Sequence, residues 1–314
     1  MLTRTSGLEL PKDHPDYIRI ESDLNRTLRG FTGDLTYVKF YKDLGASILI
    51  PRFYPVLGEI NDQSNLGLDI EIECTLTPRN KRQEKYINFL VEHNNGIIKA
   101  DPGAGKTAIA ISAISQIKKK TIIFVHKEAL RRQWTDEFIK FTNIKIEEIG
   151  FLSTKTYKQA LQKPIIITTV QAVGALLKRR KDEFLKELNA ANIGVSIFDE
   201  IHNLIGPEFF SDASIFINTK RVYGLSATPY RSDGCEDIII DHVGEIVYFE
   251  PEEGELLKPI VYMIYFSFGI YETPKQIKYL TWGGNFSTPR YFQQMNHSEK
   301  YKKTVTKLDR KSVV

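Results

Sequence analysis

Three short stretches of this chain carry residues whose types and spacing point to chemistry. The first is Ala100-Asp101-Pro102-Gly103-Ala104-Gly105-Lys106-Thr107. Its glycines let the backbone curl so that N–H groups face an anion, and a helix beginning at the end of the loop adds the positive end of its dipole. Pro102, Gly103, Ala104 and Gly105 supply the backbone of that cradle. Lys106 is then set to reach the β- and γ-phosphates of a nucleotide, and Thr107 to offer its hydroxyl to Mg²⁺. The second stretch, Ile197-Phe198-Asp199-Glu200-Ile201-His202, ends an apolar run with two acids and a histidine. Asp199 is suited to hold Mg²⁺ through water, and Glu200 to orient or deprotonate an attacking water. The third, Ser226-Ala227-Thr228-Pro229, places small hydroxyl residues where they can hydrogen-bond the acidic motif and report the state of the γ-phosphate to another surface. By itself the third stretch reads as a turn, and two acids at a strand end read as a solvated loop. Their company gives them meaning.

Positioning such groups requires a particular framework. From about residue 76 onward, predicted helices alternate with short continuous apolar runs: 96–100, 121–125, 164–168, 194–198 and 222–225. Five runs without polar alternation are strands buried on both faces, and helical connections between them imply a parallel α/β sheet. Ligands of such sheets sit at the carboxyl ends of the strands, where all three stretches fall. Residues 1–75 read differently. The β-type runs 36–41 and 47–50, punctuated by Gly33, Gly45, Pro51, Pro55 and Gly58, predict a small β or α+β domain. The expected organisation is a small accessory domain over 1–75, with DNA binding as a candidate role, an α/β lobe over 76–255, and over 256–314 a linker and the start of an incomplete second lobe that includes a strand at 260–271.

Composition excludes several classes. With 42% hydrophobic, 26% charged and 11% aromatic residues, the 314-residue chain has enough apolar surface to fold. No apolar stretch reaches the roughly 18 residues a membrane helix needs, and the N-terminus lacks a secretory pattern, so the expected location is cytoplasmic, the host's if the chain is phage-encoded. Cys74 and Cys235 are the sole cysteines and support neither a disulfide framework nor a cysteine zinc site. The formal charge of +4 is uneven: −4 over residues 1–75, +2 over 76–259 and +6 over 260–314. A mildly basic total is weak evidence for a polyanion partner, because affinity follows clustered Lys and Arg.

Taken in order, the motifs resemble the DExH branch of superfamily 2 helicases, in particular the compact group of UvsW-type phage helicases, XPB and type I restriction motor subunits. Ala100 to Thr107 resembles motif I in its AxxGxGKT form. Gln83, 23 positions before Lys106, resembles the glutamine that reads adenine. His126 to Trp134 resembles motif Ia, Thr168-Thr169-Val170-Gln171 the next strand-contacting motif, Asp199 to His202 motif II, and Ser226 to Thr228 motif III. The resemblance implies a RecA-like, P-loop NTPase lobe that uses ATP and Mg²⁺ and meets branched, single-stranded or duplex DNA across the carboxyl edge of its sheet. Lys127, Arg131, Arg132, Thr168 and Thr169 are the expected backbone contacts, with a solvated helix face as the alternative for the arginines. The denser run Lys178-Arg179-Arg180-Lys181 is read as a solvated helix face.

A motor of this kind also needs a second RecA-like lobe with arginine fingers. No QxxGRxxR-like string follows Arg231, and the 55 residues after Pro259 are too few for a lobe of about 150. The expectation is therefore the N-terminal portion of a longer helicase, in preference to a complete chain that borrows its second lobe. The expected function is an ATP-dependent DNA helicase or translocase acting in recombination, repair or replication. A restriction-type translocase fragment and a non-catalytic nucleotide-binding regulator are the alternatives, and the intact Lys106, Asp199 and Glu200 argue against the last.

Overall fold

The computed structural model describes residues 1–29, 35–203, 211, 213–230 and 235–251. The chain divides into two compact units, Met1–Glu253 and Gly254–Val314, and every described element lies in the first. The whole of the expected segment 256–314, with its linker and strand 260–271, and Arg231 lie outside the described residues.

The N-terminal part is α+β. It contains β1 (Leu2–Arg4), β2 (Leu8–Pro11), α1 (Tyr17–Leu24), β3 (Asn25–Arg29), β4 (Leu35–Lys39), β5 (Lys42–Asp43), β6 (Ser47–Ile50) and β7 (Ile60–Asp62). One sheet has the order β5-β6-β2-β1-β7, and β3 and β4 pair separately. The sheet is antiparallel except for β1 beside β7. Leu8 and Leu10 alternate with exposed Glu9, so β2 buries one face. That face meets Ile48, Ile50, Ile20, Leu24 and Phe40 in a local core.

A second, larger sheet follows, built from α2 (Lys81–Glu92), β8 (Asn95–Lys99), α3 (Lys106–Ile117), β9 (Thr121–Phe124), α4 (Glu128–Phe141), β10 (Ile149–Phe151), α5 (Tyr157–Ala160), β11 (Ile165–Thr168), α6 (Val170–Ala190), β12 (Val195–Asp199), β13 (Arg221–Ser226), α7 (Glu236–Val243) and β14 (Ile246–Val247). Its order is β10-β11-β9-β12-β13-β8-β14, with every pairing parallel. The five expected strands are β8, β9, β11, β12 and β13. The edges β10 and β14 were not anticipated, because three and two residues are too short to show a pattern.

Two cores explain the uniformly apolar strands. Ile122, Phe124, Ile166, Phe198 and Val222 face α6 and α7, while their alternates Ile123, Ile165, Ile167, Ile197 and Tyr223 face α2, α3 and α4. Helix ends are fixed locally: Asn80 caps α2 by accepting from Gln83 N at 2.8 Å, and Thr169 caps α6 by accepting from Ala172 N at 3.2 Å. Within α6, Arg180 leaves helical geometry at φ −147° and ψ 42°, so the basic run 178–181 straddles a kink.

The parts before and after residue 75 are stitched together. Residues 68–75 run extended along the outer layer, with Leu68 N donating to Asn192 O, Ile70 N to Lys118 O and Thr75 N to Phe141 O. Ile72 is buried in the core shared by α2, α3 and α4. At the start of this strap Gly67 has φ 82°, and a side chain there would come within 2.3 Å of Gly194 Cα. The fully buried guanidinium of Arg52 donates to the carbonyls of Ser6, Ile217 and Thr219. Cys235 and Ile238 complete the N-terminal core while Ile239 and Val243, on the same helix, belong to the larger one. Among the described residues no helix is long and apolar enough to cross a membrane.

Candidate nucleotide site

The strand order decides which motifs meet. β12, β13 and β8 are neighbours, so their parallel carboxyl ends bring Asp199, Ser226 and the loop after Lys99 to one edge of the sheet. A cleft of about 830 Å³ opens there, walled by Gly103, Gly105, Lys106 and Thr107 on one side, Asp199 and Glu200 on another, and Arg132, Gln133 and Asp136 of α4 on a third.

The loop is shaped by its glycines. Gly103 and Gly105 both adopt φ 81°, a left-handed backbone that costs other residues about 1–2 kcal/mol. Gly105 is the residue before α3, so the first N–H groups of that helix open into the cleft. Gln83 is buried beside the loop. Its Nε2 donates to Ala104 O at 2.7 Å, and its Oε1 accepts from Arg79 N at 2.8 Å. Arg79 also donates through Nη2 to Gly103 O at 3.2 Å. Each end of the Gln83 amide is thereby engaged once, in a group able to make further hydrogen bonds. Pro102 is exposed at the tip and Ala104 is half-buried.

Lys106 is held in the cleft by an ion pair, Nζ to Glu200 Oε1 at 3.1 Å. Asp199 is 5% exposed, and its Oδ2 accepts from the indole Nε1 of Trp134 at 2.8 Å. Burial pushes this carboxyl above the usual range; the Trp134 hydrogen bond opposes the rise, the Glu200 charge adds to it and Lys106 counters it. Glu200 occupies the left-handed region at φ 48°, a strained setting for a side chain of its kind. His202 Nδ1 lies 2.7 Å from Ser226 Oγ, and the same hydroxyl oxygen accepts from Thr228 N at 3.0 Å. The expected bond between the acidic motif and the Ser226–Thr228 turn is therefore present, with Ala227 half-buried and Thr228 exposed.

The donor set fits a magnesium nucleotide. Among the described residues no group of three His, Cys, Asp or Glu side chains is placed to hold a metal alone. A hydroxyl at Thr107 and a carboxylate at Asp199 are hard oxygen donors. They suit a cation that takes its remaining ligands from water and phosphate.

The expected nucleic-acid contacts are sorted less simply. Lys127 is exposed at the N-terminus of α4. Arg131 is half-buried, paired with Glu128 at 3.0 Å and stacked 4.7 Å from the centre of the Phe151 ring. Arg132 is exposed and lines the cleft, on a different face of the helix from Arg131. Thr168 is fully buried and its hydroxyl donates to Leu152 O at 3.0 Å, so it is not placed to meet a phosphate. The Thr169 hydroxyl is engaged as the α6 cap.

Sequence reasoning passed over Arg79 and Trp134. Trp134 lies four positions after Leu130, a spacing that suggests packing alone, yet a buried indole N–H needs an acceptor, and that requirement is the available signal. Arg79 had no signal beyond its position just before the helix carrying Gln83.

Comparisons with known proteins bear on the fold and on the family. In the crystal structure of the UvsW helicase from bacteriophage T4, 78% of this chain superposes on 99% of that chain with a TM-score of 0.53 and 14% identity. A second T4 UvsW structure gives 0.52 and 16% over 78% of this chain and 56% of that one. The shared fold is the RecA-like helicase lobe. By sequence, the DNA 3′-5′ helicase XPB of Kineococcus radiotolerans is 31% identical over 171 residues, covering 54% of this chain and 29% of the relative. L396 of Acanthamoeba polyphaga mimivirus, whose name describes an ATP-dependent RNA helicase, is 28% identical over 268 residues, covering 76% and 49%. The chain thus spans half or less of the length of these relatives. The family model described as type III restriction enzyme, res subunit, matches residues 75–231, half of the 314, and the chain belongs to that family.

Proposed function

We propose that this chain is the ATP-hydrolysing first lobe of a DNA helicase or translocase. The observation that carries the reading is the meeting of Lys106, Asp199 and Glu200 at one carboxyl edge, with the Glu200 neighbour His202 bonded to the Ser226 turn. In this reading the N–H groups of the loop and of α3 hold the phosphates, and Gln83 reads the adenine edge. Thr107 and Asp199 hold Mg²⁺, which supplies neutralising charge to the phosphates. Lys106 must leave Glu200 to contact the β- and γ-phosphates, and its departure frees the carboxylate of Glu200 to orient and deprotonate water. The Ser226–His202 hydrogen bond then carries the change at the acidic motif to the turn that ends in exposed Thr228. A second RecA-like lobe, from a longer form of the chain or from another polypeptide, supplies arginine fingers worth about 10³–10⁵ in rate. The 3′-5′ direction named for the XPB relatives is the expected polarity.

The test is steady ATP hydrolysis by the purified chain with branched, single-stranded and duplex DNA and with RNA. Slow turnover that DNA accelerates supports the reading, and preferential acceleration by RNA would assign the substrate to the other nucleic acid. Glu200→Gln is expected to keep ATP binding and abolish hydrolysis, and Lys106→Ala to weaken both. Undiminished turnover in Glu200→Gln removes that residue from its role. The family description favours one further reading, a restriction-type translocase, which predicts that a nuclease partner confers ATP-dependent cleavage.

A further inference from the structure

Two turns of α4 serve two surfaces. Arg132, Gln133 and Asp136 line the cleft. Trp134, between them in sequence, turns inward and is fully buried. Its ring stands 6.1 Å from that of Phe138, and its N–H reaches Asp199, 65 positions away at the end of β12. Packing alone does not explain the choice of acceptor. The indole donates to one oxygen of a nearly buried carboxylate, on the residue best suited to hold a cation, and the helix it belongs to begins one to two turns earlier with Lys127 at its N-cap and Arg131 in its first turn. Partners that hydrogen-bond a metal-binding carboxylate fix its orientation, and their loss weakens metal affinity by about 10–100-fold.

We propose that Trp134 is a positioning residue for Asp199: its N–H holds Oδ2 so that the carboxylate presents its other oxygen to the cleft, and it ties metal binding to the setting of α4. The proposal rests on the reading of the cleft as a magnesium-nucleotide site. It makes α4 a mechanical link in both directions. A nucleic acid that shifts the N-terminus of α4 alters the carboxylate, and a metal that draws on the carboxylate alters α4.

Trp134→Phe deletes the N–H and keeps an aromatic ring. Phe138→Leu disturbs the same core without touching Asp199 and serves as the packing control. The probe is N-methylanthraniloyl-ATP, with binding followed by anisotropy as MgCl₂ is raised. In the unaltered chain, binding strengthens with Mg²⁺. Trp134→Phe is expected to keep metal-free binding within about twofold and to need about tenfold more Mg²⁺ for half its effect. Phe138→Leu is expected to lose thermal stability with an unchanged Mg²⁺ requirement. An unshifted requirement in Trp134→Phe, or an equal shift in both variants, overturns the proposal. A second measurement leaves Trp134 in place. In Trp282→Phe, altered outside the described residues, Trp134 is the remaining tryptophan of two, and its emission is expected to change when Mg²⁺ is added to the analogue-bound chain. An emission spectrum indifferent to Mg²⁺ overturns the proposal even if Trp134→Phe does not fold. Failure of the unaltered chain to bind the analogue at any Mg²⁺ concentration overturns the nucleotide reading and this one together, whereas binding with an unshifted requirement overturns this one alone.

Discussion

In the last turn of α7 two neighbouring groups titrate against each other. Burial, reinforced by the Asp237 carboxylate, pushes Asp241 up to about 7, despite Arg26, whose guanidinium is paired with Asp237. Burial pushes the imidazole of His242, 3.1 Å from Ser211 Oγ, down to about 3. A carboxyl raised in the folded state contributes stability that is complete below its ordinary value of 3.8 and is lost as pH rises through about 7. A depressed imidazole contributes stability that is complete above 6.5 and is lost as pH falls toward about 3. Between 3.8 and 6.5 the two slopes, each about 1.4 kcal/mol per pH unit, oppose and nearly cancel. Asp241→Asn removes the carboxylate and keeps its shape. The rise from 3.8 to about 7 is equivalent to about 4 kcal/mol, and because Asp241 is part-exposed, screening by water leaves about 2 kcal/mol. Urea and thermal unfolding at several pH values are the assay. Near pH 4 the variant and the unaltered chain are expected to be equally stable. By pH 8 the variant is expected to gain about 2 kcal/mol, or about 4–8 °C in Tm. Below pH 6.5 it is expected to weaken more steeply, because the His242 slope is no longer offset. A difference between the two chains that does not vary with pH would refute the reasoning.

Three more perturbations read other joints of the molecule. Ser226→Ala deletes the hydroxyl shared by His202 and Thr228 N, and is expected to leave unstimulated ATP hydrolysis within about twofold while lowering its stimulation by DNA; undiminished stimulation would detach this turn from coupling. Gly105→Ala puts a methyl 2.7 Å from Arg79 Nη2 and 2.8 Å from Gln83 Nε2 on a left-handed backbone. Calorimetric titration with ATP is expected to show at least tenfold weaker binding for about 1–2 kcal/mol of lost stability, and unaltered affinity would show that the Gln83–Ala104 contact is dispensable. Arg52→Met strands the carbonyls of Ser6, Ile217 and Thr219, and at about 1 kcal/mol or more for each is expected to lower stability by about 3 kcal/mol in urea unfolding; a loss under 1 kcal/mol would mean those carbonyls find other donors.

The parallel sheet was legible because five strands are buried on both faces and so carry unbroken apolar runs. The nucleotide loop was legible because a left-handed backbone beside phosphate leaves few residues besides glycine at positions 103 and 105. What escaped notice depends on distance along the chain. β10 and β14 take their strand form from a neighbour rather than from their own three and two residues. Ile72 enters the larger core through a strap whose backbone bonds reach residues 118, 141 and 192. The partner of Trp134 lies 65 positions away, and no local pattern names it. Thr168 failed as a surface contact for the same reason: its carbonyl partner on Leu152 belongs to the turn after an edge strand that the apolar pattern did not reveal.

Glu200 keeps a carboxylate on a left-handed turn at φ 48°, where the backbone costs about 1–3 kcal/mol. A chain selected for stability alone would carry glycine or asparagine at this position. Directed evolution for heat resistance, run without a demand for turnover, is therefore expected to converge on position 200 and to return robust, inactive proteins. Selection that preserves both properties has to find its stability elsewhere.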